Sequence, residues 1–304
     1  MASIINSNTD VFMSVKQVAE YLHLNEKKIY ELVSERRIPA TKITGKWMFP
    51  RELVDRWMLD SAHGGLFTDR LVIGGSDDPL LYRIIMQYAH DAKAHALITY
   101  TATGTRLGLD LLNANRVDAC CMHWGPNTES HTRHPALLQQ YNQHQHWVLI
   151  RAFRREQGLI IKPRLADMIH NAQDLFDQQF RWAIRQAGSG AQRFLLEALG
   201  KLGLNASSLN SEITALSERE AGAAVAMDRA DVAPGAHAIA TEFGLGFIPF
   251  GWESFDFALS RSIWFRRLFQ DLLNRLKSLE CQHLADELGG YDFSDTGQLL
   301  WGDE

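Results

Sequence analysis

Two stretches of the chain are built to the same order. "LVIGGSDDPLLYRIIMQYA" from Leu71 and "RWAIRQAGSGAQRFLLEAL" from Arg181 each read as a short apolar strand, a Gly-Ser loop and a helix with an apolar face. Each is followed by a helix, an Arg-x-Asp step and a small-residue strand, in "LDLLNANRVDACCMH" and "EREAGAAVAMDRADVAPGA". The identity between the two halves is slight, so this is not a solenoid repeat. Strands alternating with helices predict α/β architecture, here two similar lobes. Between them "HQHWVLIRAFRREQGLIIKP" holds two extended runs, 147–153 and 158–162, expected to cross between the lobes.

The loops suggest chemistry. A helix N-terminus carries free backbone N–H groups and a partial positive charge, glycine allows close approach, and serine adds a hydroxyl. "GSGAQR" supplies Gly188, Ser189 and Gly190, and "GGSDDPLL" supplies Ser76 and Asp77. "TATGTRLGLDLL" supplies Thr103, Gly104 and Thr105. Three such loops facing one cleft would hold a small anion by N–H and O–H donors. None matches a phosphate-binding G-x-x-x-x-G-K-[ST] or a dinucleotide-binding G-x-G-x-x-G, so nucleotide chemistry is disfavoured. Asp77 and Asp78 complicate this: a carboxylate facing the cleft opposes an anion, unless it caps its own helix or the ligand carries an amine or hydroxyl. His123 stands at a strand end, either as a donor to the ligand or as a residue outside the cleft wall.

Residues 13–60 follow a different pattern. Ser14 with Gln17 forms a capping-box signature, and Asn25 caps a second helix whose Ile29, Leu32 and Val33 share a face. Helix, tight turn and helix are followed by two β-prone runs around Gly45, then a third helix after Pro50. The chain as a whole is acidic, with net charge −5, yet residues 27, 28, 36, 37, 42, 46 and 51 are all Lys or Arg. Such a local basic patch supplies the affinity for phosphates that whole-chain charge does not. A solvated charged face on a small packing domain is the plainer alternative.

This first block resembles the excisionase and MerR-type winged helix-turn-helix, in "SVKQVAEYL", "IYELV", "RIPA" and "KWMFPRELVDRW". The resemblance implies double-stranded DNA as partner, with Lys27, Lys28 and Tyr30 in the major groove and Lys42, Lys46 and Trp47 on the backbone or minor groove, unless the Trp47 ring belongs to the core of the hairpin; Arg36 and Arg37 join the same basic set. Residues 70–304 resemble the periplasmic-binding-protein-like sensor domain related to molybdate-binding proteins. The matching segments include "GGSDDPLL", "RREQGLIIKP", "RQAGSGAQRFLLEAL" and "EFGLGFIPFGWESFDFAL". This implies a type 2 two-lobed α/β fold with Ser76, Asp77, Thr103, Gly104, His123, Ser189 and Glu220 lining an inter-lobe cleft. Asp77 stands where that family often has His, and Ala191 where it often has Thr.

The expected organisation is a tail at 1–12, a DNA-binding head at 13–60, a linker at 61–69 and a sensing domain at 70–304. The expected function is a cytoplasmic, ligand-responsive transcription regulator, paired as a homodimer, sensing a small molecule such as molybdate or tungstate. A solute-binding protein and a small-molecule enzyme on the same fold are the rivals. No nucleophile–base set stands out, so no enzyme activity, cofactor or metal is expected. "HTRHP" and "HQH" read as loop polarity, and Cys120, Cys121 and Cys281 as reduced thiols. No run of ~18 apolar residues predicts a membrane span. Residues 261–278 are expected to form one amphipathic helix with solvated arginines, carrying aromatics suited to a dimer contact.

Overall fold

The computed structural model describes residues 12–35, 38–61, 70–166, 168–169, 172–177 and 180–302. Most of the expected tail and linker, and the candidate residues Arg36 and Arg37, lie outside these. Two compact units divide the chain, Met1–Thr68 and Asp69–Glu304.

The first unit runs β1 (Phe12–Ser14), α1 (Val15–Tyr21), α2 (Glu26–Ser34), β2 (Thr41–Ile43), β3 (Lys46–Pro50) and α3 (Arg51–Ser61). Ser14 Oγ accepts from the Gln17 N–H at 3.3 Å, and Gln17 Oε1 accepts from the Ser14 N–H at 2.8 Å. Asn25 Oδ1 accepts from the Lys28 N–H at 2.7 Å. Caps of this kind contribute about 0.5–2 kcal/mol each. They fix where two short helices begin, and the turn between the helices follows from that. The hairpin β2–β3 closes through Thr44 and Gly45, both at positive φ, which matches the twist of a two-residue hairpin. β3 is the middle strand of the order β1-β3-β2. Val18, Ile29, Phe49 and Val54 are fully buried, so both helices, the wing and α3 share one core.

The second unit begins with β4 (Arg70–Gly75), α4 (Pro79–Ala92), β5 (Leu97–Ala102), α5 (Thr105–Asn113), β6 (Ala119–Met122) and α6 (Ser130–Leu138). Then come β7 (Trp147–Ile161), α7 (Ala172–Asp177), β8 (Arg181–Arg185), α8 (Gly190–Lys201), β9 (Asn210–Ala215), α9 (Glu218–Ala226), β10 (Val232–Ala236) and α10 (His237–Glu242). It closes with β11 (Gly246–Ser260), α11 (Arg261–Trp264), α12 (Arg267–Leu276), α13 (Leu279–Leu288), β12 (Tyr291–Asp292) and β13 (Leu299–Trp301).

The strand order β5-β4-β6-β11-β7-β10-β8-β9 contains both lobes. In the first lobe β4 pairs in parallel with β5 and β6; in the second β8 pairs in parallel with β9 and β10. The echo in the sequence is therefore two parallel βαβ systems. They are joined by β7 and β11, two 15-residue strands antiparallel along their whole length. Residues 119–122 of the first lobe pair with the end of β11, and 232–236 of the second pair with the end of β7. Each long strand thus belongs to both lobes. At the end of β4, Gly75 has φ +117°, and a Cβ there would lie 2.1 Å from the Cys121 carbonyl oxygen. Only glycine lets β4 approach β6 this closely before turning into the loop.

Three expectations are corrected. The runs 147–153 and 158–162 are one strand, because Arg154, Arg155 and Glu156 continue the β pattern, and the second crossing strand is β11. The segment 261–278 holds α11 and α12 rather than one helix. It breaks at Arg266, which is extended (φ −70°, ψ 137°) and 3% exposed, its guanidinium donating to the Arg70 carbonyl. His134 of "HTRHP" is not loop polarity. It is buried on α6, its Nδ1 2.7 Å from Asp256 Oδ2 and its Nε2 accepting from the Trp124 N–H at 3.0 Å. The three cysteines are buried free thiols, and burial pushes Cys281 up to about 12.

Candidate functional site

The three Ser/Thr/Gly loops meet where the lobes face each other. Ser76 and Thr105 hydroxyls lie 2.8 Å apart, and Thr105 Oγ1 donates to the His123 carbonyl at 3.1 Å. Across the cleft, the Arg106 N–H donates to the Gly188 carbonyl at 3.1 Å and Gln186 Nε2 to the Thr103 carbonyl at 3.2 Å. Gly190, the first residue of α8, sits against the His123 ring. Many of the loop donors are already committed. The Ser76 N–H goes to the Cys121 carbonyl, the Thr103 and Gly104 N–H groups both go to the Gly75 carbonyl, and Thr103 Oγ1 accepts from the Gly75 N–H. Ser189 Oγ caps α8 by accepting from the Gln192 N–H at 3.2 Å.

The acidic pair of the first loop splits its roles. Asp78, not Asp77, caps α4 by accepting from the Leu81 N–H at 2.8 Å. Asp77 reaches the other lobe, where its Oδ2 accepts from the Arg219 N–H at 3.1 Å, in the first turn of α9. A carboxylate at a helix N-terminus is electrostatically favoured. Asp77 therefore occupies one of the anion positions that such a cleft offers.

At the centre lies Arg155, from β7, 1% exposed. Its Nε donates to Glu253 at 2.7 Å, its Nη1 to the Asp77 carbonyl at 2.8 Å and to Asp78 at 3.1 Å, and its Nη2 to Glu218 at 2.7 Å. Its guanidinium stacks 4.8 Å from the Phe255 ring centroid. The Asp78 carboxyl also accepts from the Tyr291 hydroxyl at 3.0 Å. Arg185, buried, donates to the Ala215 carbonyl nearby. Three carboxyl groups thus converge on the Arg155 guanidinium.

Burial sets the protonation of this cluster. It pushes Asp78 and Glu218 above the usual carboxylate range despite the pull of Arg155, and Glu253 up to about 8, with Glu218 adding to the rise. Burial acts against the charge of Arg155, but Glu218, Glu253 and Asp78 hold it protonated. His123 is driven well below its ordinary value by burial, then by Arg155, His134 and Arg185, and is neutral. Arg155 Nη2 faces its Nδ1 at 3.4 Å, which leaves the ring proton on Nε2. Nε2 is buried and lies 3.8 Å from both Glu218 and Glu253, beyond hydrogen-bond reach.

A pH dependence follows. Between the ordinary glutamate value and about 8, the folded state holds a proton on Glu253 that the unfolded chain has released. Stability then falls as pH rises through that window. The melting temperature of the second unit is expected to drop by several degrees from pH 5 to pH 8. Glu253→Gln, which keeps an acceptor for Arg155, is expected to flatten this profile. An unchanged slope in the variant would count against the assignment.

Glu220 stands apart from the cluster. It is exposed, and its Oε2 accepts from the Leu216 N–H at 2.7 Å while its own N–H donates to Ser217, the N-cap of α9. Glu218, two residues earlier and 1% exposed, is the one that faces Arg155. Sequence reasoning missed Arg155, Glu218 and Glu253. The available signal was a charged run, "RREQG", inside an otherwise apolar strand.

In the first unit α2 turns Ile29, Leu32 and Val33 inward, and Lys27 and Tyr30 are exposed one turn apart. Lys28 is held at 2.7 Å by Glu31. Lys42 and Lys46 are exposed on the two strands of the wing, and the Lys42 ammonium lies 5.5 Å from the Trp47 ring centroid. Trp47 packs partly against the unit's core.

Comparison with known proteins places both units. The family model described as a helix-turn-helix domain matches residues 12–61, and that described as a PBP superfamily domain matches residues 87–277. No curated protein matches the chain. Among solved structures, a hydrogen-peroxide-bound cysteine-to-serine mutant of OxyR from Corynebacterium glutamicum is similar at 12% identity and TM-score 0.54, over 90% of this chain and 89% of that one. A phosphate-bound substrate-binding protein assigned to phosphate ABC transport in Clostridium perfringens is similar at 13% identity and TM-score 0.52, over 73% of this chain and 99% of that one. These likenesses support the two-lobed fold. Among the described residues no helix is long and apolar enough to cross a membrane, and no cluster of His, Cys, Asp and Glu is arranged to hold a metal ion. The PBP superfamily match spans more than half of the sequence, and the chain belongs to that superfamily, with a helix-turn-helix domain at its N-terminus.

Proposed function

We propose that this protein is a ligand-responsive DNA-binding transcription regulator. The observation that carries the reading is the fusion, in one chain, of a helix-turn-helix head with a two-lobed domain whose Ser/Thr/Gly loops meet between its lobes. The head is 13–60, the linker 61–69 and the sensing domain 70–304. A ligand that prefers one lobe arrangement shifts its population, and with it the DNA affinity. Two heads paired in a homodimer gain affinity on two half-sites. Phe265 and Leu279, each 73% exposed around α12, supply apolar surface for that pairing. The protein acts in the cytoplasm, and catalysis is not part of the reading.

For the ligand, the charge of the cleft favours a molecule that brings hydrogen-bond donors over a bare oxyanion such as molybdate or tungstate. Asp77, Asp78, Glu218 and Glu253 outnumber Arg155 and Arg185, and every nitrogen of Arg155 is engaged. A thermal-shift panel of molybdate, tungstate and sulfate against small amides and amines tests this, since a ligand bound only by the folded state raises the melting temperature. The largest shift coming from an oxyanion would reverse the preference.

DNA binding is tested by selecting duplexes from a random pool at low salt. The joint variant Lys27→Ala, Tyr30→Ala is expected to lose about ten- to a hundredfold in affinity for the selected duplex, since each base contact contributes about 1–3 kcal/mol. Lys42→Ala is expected to weaken all sequences evenly and to reduce the salt slope by about one. No enrichment from the pool under any condition would sink the regulator reading.

A further inference from the structure

A cavity of about 210 Å³ opens on the flank of the second unit, beside the crossing strands and away from the N-terminus of α8. Phe194, Ala198 and Leu202 line it from successive turns of α8, and Phe250 and Trp252 line it from β11. The Phe194 and Phe250 rings meet edge to face, 5.4 Å apart. The rest of the lining is Gly125 and Pro126, from the loop after β6, Gly251, and the charged Glu197 and Lys201 of α8. Its surfaces therefore come from the first lobe, the second lobe and a strand common to both. At its mouth Arg133 of α6 bridges to Glu197 of α8 at 2.6 Å, a tie between the lobes.

One polar group of this cavity, buried in its lining, is left without a partner. Gln157, next but one to Arg155 on the same face of β7, is 3% exposed, and neither its Nε2 nor its Oε1 meets a hydrogen-bond partner in the protein. A buried amide without partners costs roughly 1–3 kcal/mol per unpaired group. Glu253 lines the cavity beside it. A donor and an acceptor presented together at the end of an aromatic-walled cavity complement a ligand with the same pair reversed.

We propose that this cavity binds a small, flat, largely apolar molecule bearing a carboxamide-like head, which pairs with the Gln157 amide while its body packs against Phe194, Phe250 and Trp252. Such a head gives a donor to Gln157 Oε1 and takes one from Gln157 Nε2. The body touches both lobes, so binding favours the arrangement in which α8 lies against the loop after β6. Binding itself does not depend on the regulator reading; only its consequence for DNA does.

The test uses the full chain and three probes: phenylacetamide, its apolar isostere isobutylbenzene, and the anion phenylacetate. Binding is followed by saturation-transfer NMR and thermal shift. The wild-type protein is expected to bind phenylacetamide at least about tenfold more tightly than either analogue, because an unmatched buried amide penalises both. Gln157→Leu removes an unpaired polar group, a change that is near neutral for folding. It is expected to erase the preference while isobutylbenzene still binds. Ala198→Phe fills the cavity and is expected to abolish both; Phe250→Ala, at a half-exposed site, weakens both if the filled variant does not fold. No binding of phenylacetamide at millimolar concentration, no preference in the wild type, or a preference that survives Gln157→Leu would overturn the proposal. DNA affinity measured with and without phenylacetamide separates the two readings. Binding without an effect on DNA removes the coupling, and DNA binding without phenylacetamide binding removes this site alone.

Discussion

Arg155→Met is expected to destabilise the second unit by about 3–5 kcal/mol at pH 7, as is usual when one member of a buried ion cluster is removed. The methionine fills much of the volume of the arginine stem, so packing is not the main loss. The loss is that the carboxyls of Asp78 and Glu218 remain buried with no cation, beside a Glu253 that is already protonated at this pH. Domains have only about 5–15 kcal/mol in total, so this single change removes a large fraction of it. The effect has a pH signature. Without Arg155 the Asp78 and Glu218 carboxyls take up protons more readily in the folded state than in the unfolded chain, so the variant regains stability as pH falls. Arg155→Lys is expected to fall between, since an ammonium keeps the charge but does not reach Glu253, Asp78 and Glu218 together as a planar fork does. Urea denaturation across pH measures all three proteins. Equal stability of wild type and Arg155→Met at pH 7 would show that the carboxyls are already neutral and that the cluster does not need its cation.

The same cluster marks how far the sequence was readable. The loops were legible because their signals are local: glycine where φ is positive or the backbone is crowded, Ser14 and Asn25 where a helix needs a cap. The strand–loop–helix echo was enough for two lobes, because parallel pairing follows from connection length. The acid cluster was not legible, because its members are far apart in sequence. Arg155 meets Asp78 across 77 residues and Glu253 across 98. Hydropathy also assigns charged residues to the surface, whereas in β7 the two-residue period turns Arg155 and Gln157 inward and leaves Arg154 and Glu156 partly exposed. Glu220 was expected to line the cleft, but two residues are about 200° of rotation, so Glu218 faces Arg155 while Glu220 reaches back to the Leu216 N–H. The split of 261–278 had no local signal, since Arg266 is drawn inward by the Arg70 carbonyl and by Asp118 at 3.5 Å, both supplied by the first lobe.

Gly190→Ala is expected to wedge the two lobes apart. Gly190 opens α8 on the second lobe, and a Cβ there would lie 2.0 Å from His123 Cδ2 and 2.4 Å from the His123 carbonyl oxygen on the first. The ring cannot simply turn away, since its Nδ1 faces Arg155 and it stacks 6.0 Å from Phe255 at an interplanar angle of 21°. Overpacking of this kind costs about 1–3 kcal/mol when neighbours must shift. Here the shift available is between two lobes between which the chain crosses on β7 and β11, so the strain is relieved by separation of the lobes rather than by unfolding. Small-angle scattering is expected to report a larger radius of gyration for the variant, and the His123 ring resonances to move. Gly200→Ala, at the other end of α8, meets nothing within 4 Å and serves as the control. It is expected to leave the scattering unchanged and to stabilise the helix by about 0.5–1 kcal/mol. If Gly190→Ala scatters like the wild type and binds any ligand of the domain with the same affinity, the contact between His123 and α8 does not hold the lobes together. In that case the closed arrangement rests on Arg155 and the Asp77 bond to α9, and Asp77→Asn becomes the variant that opens it.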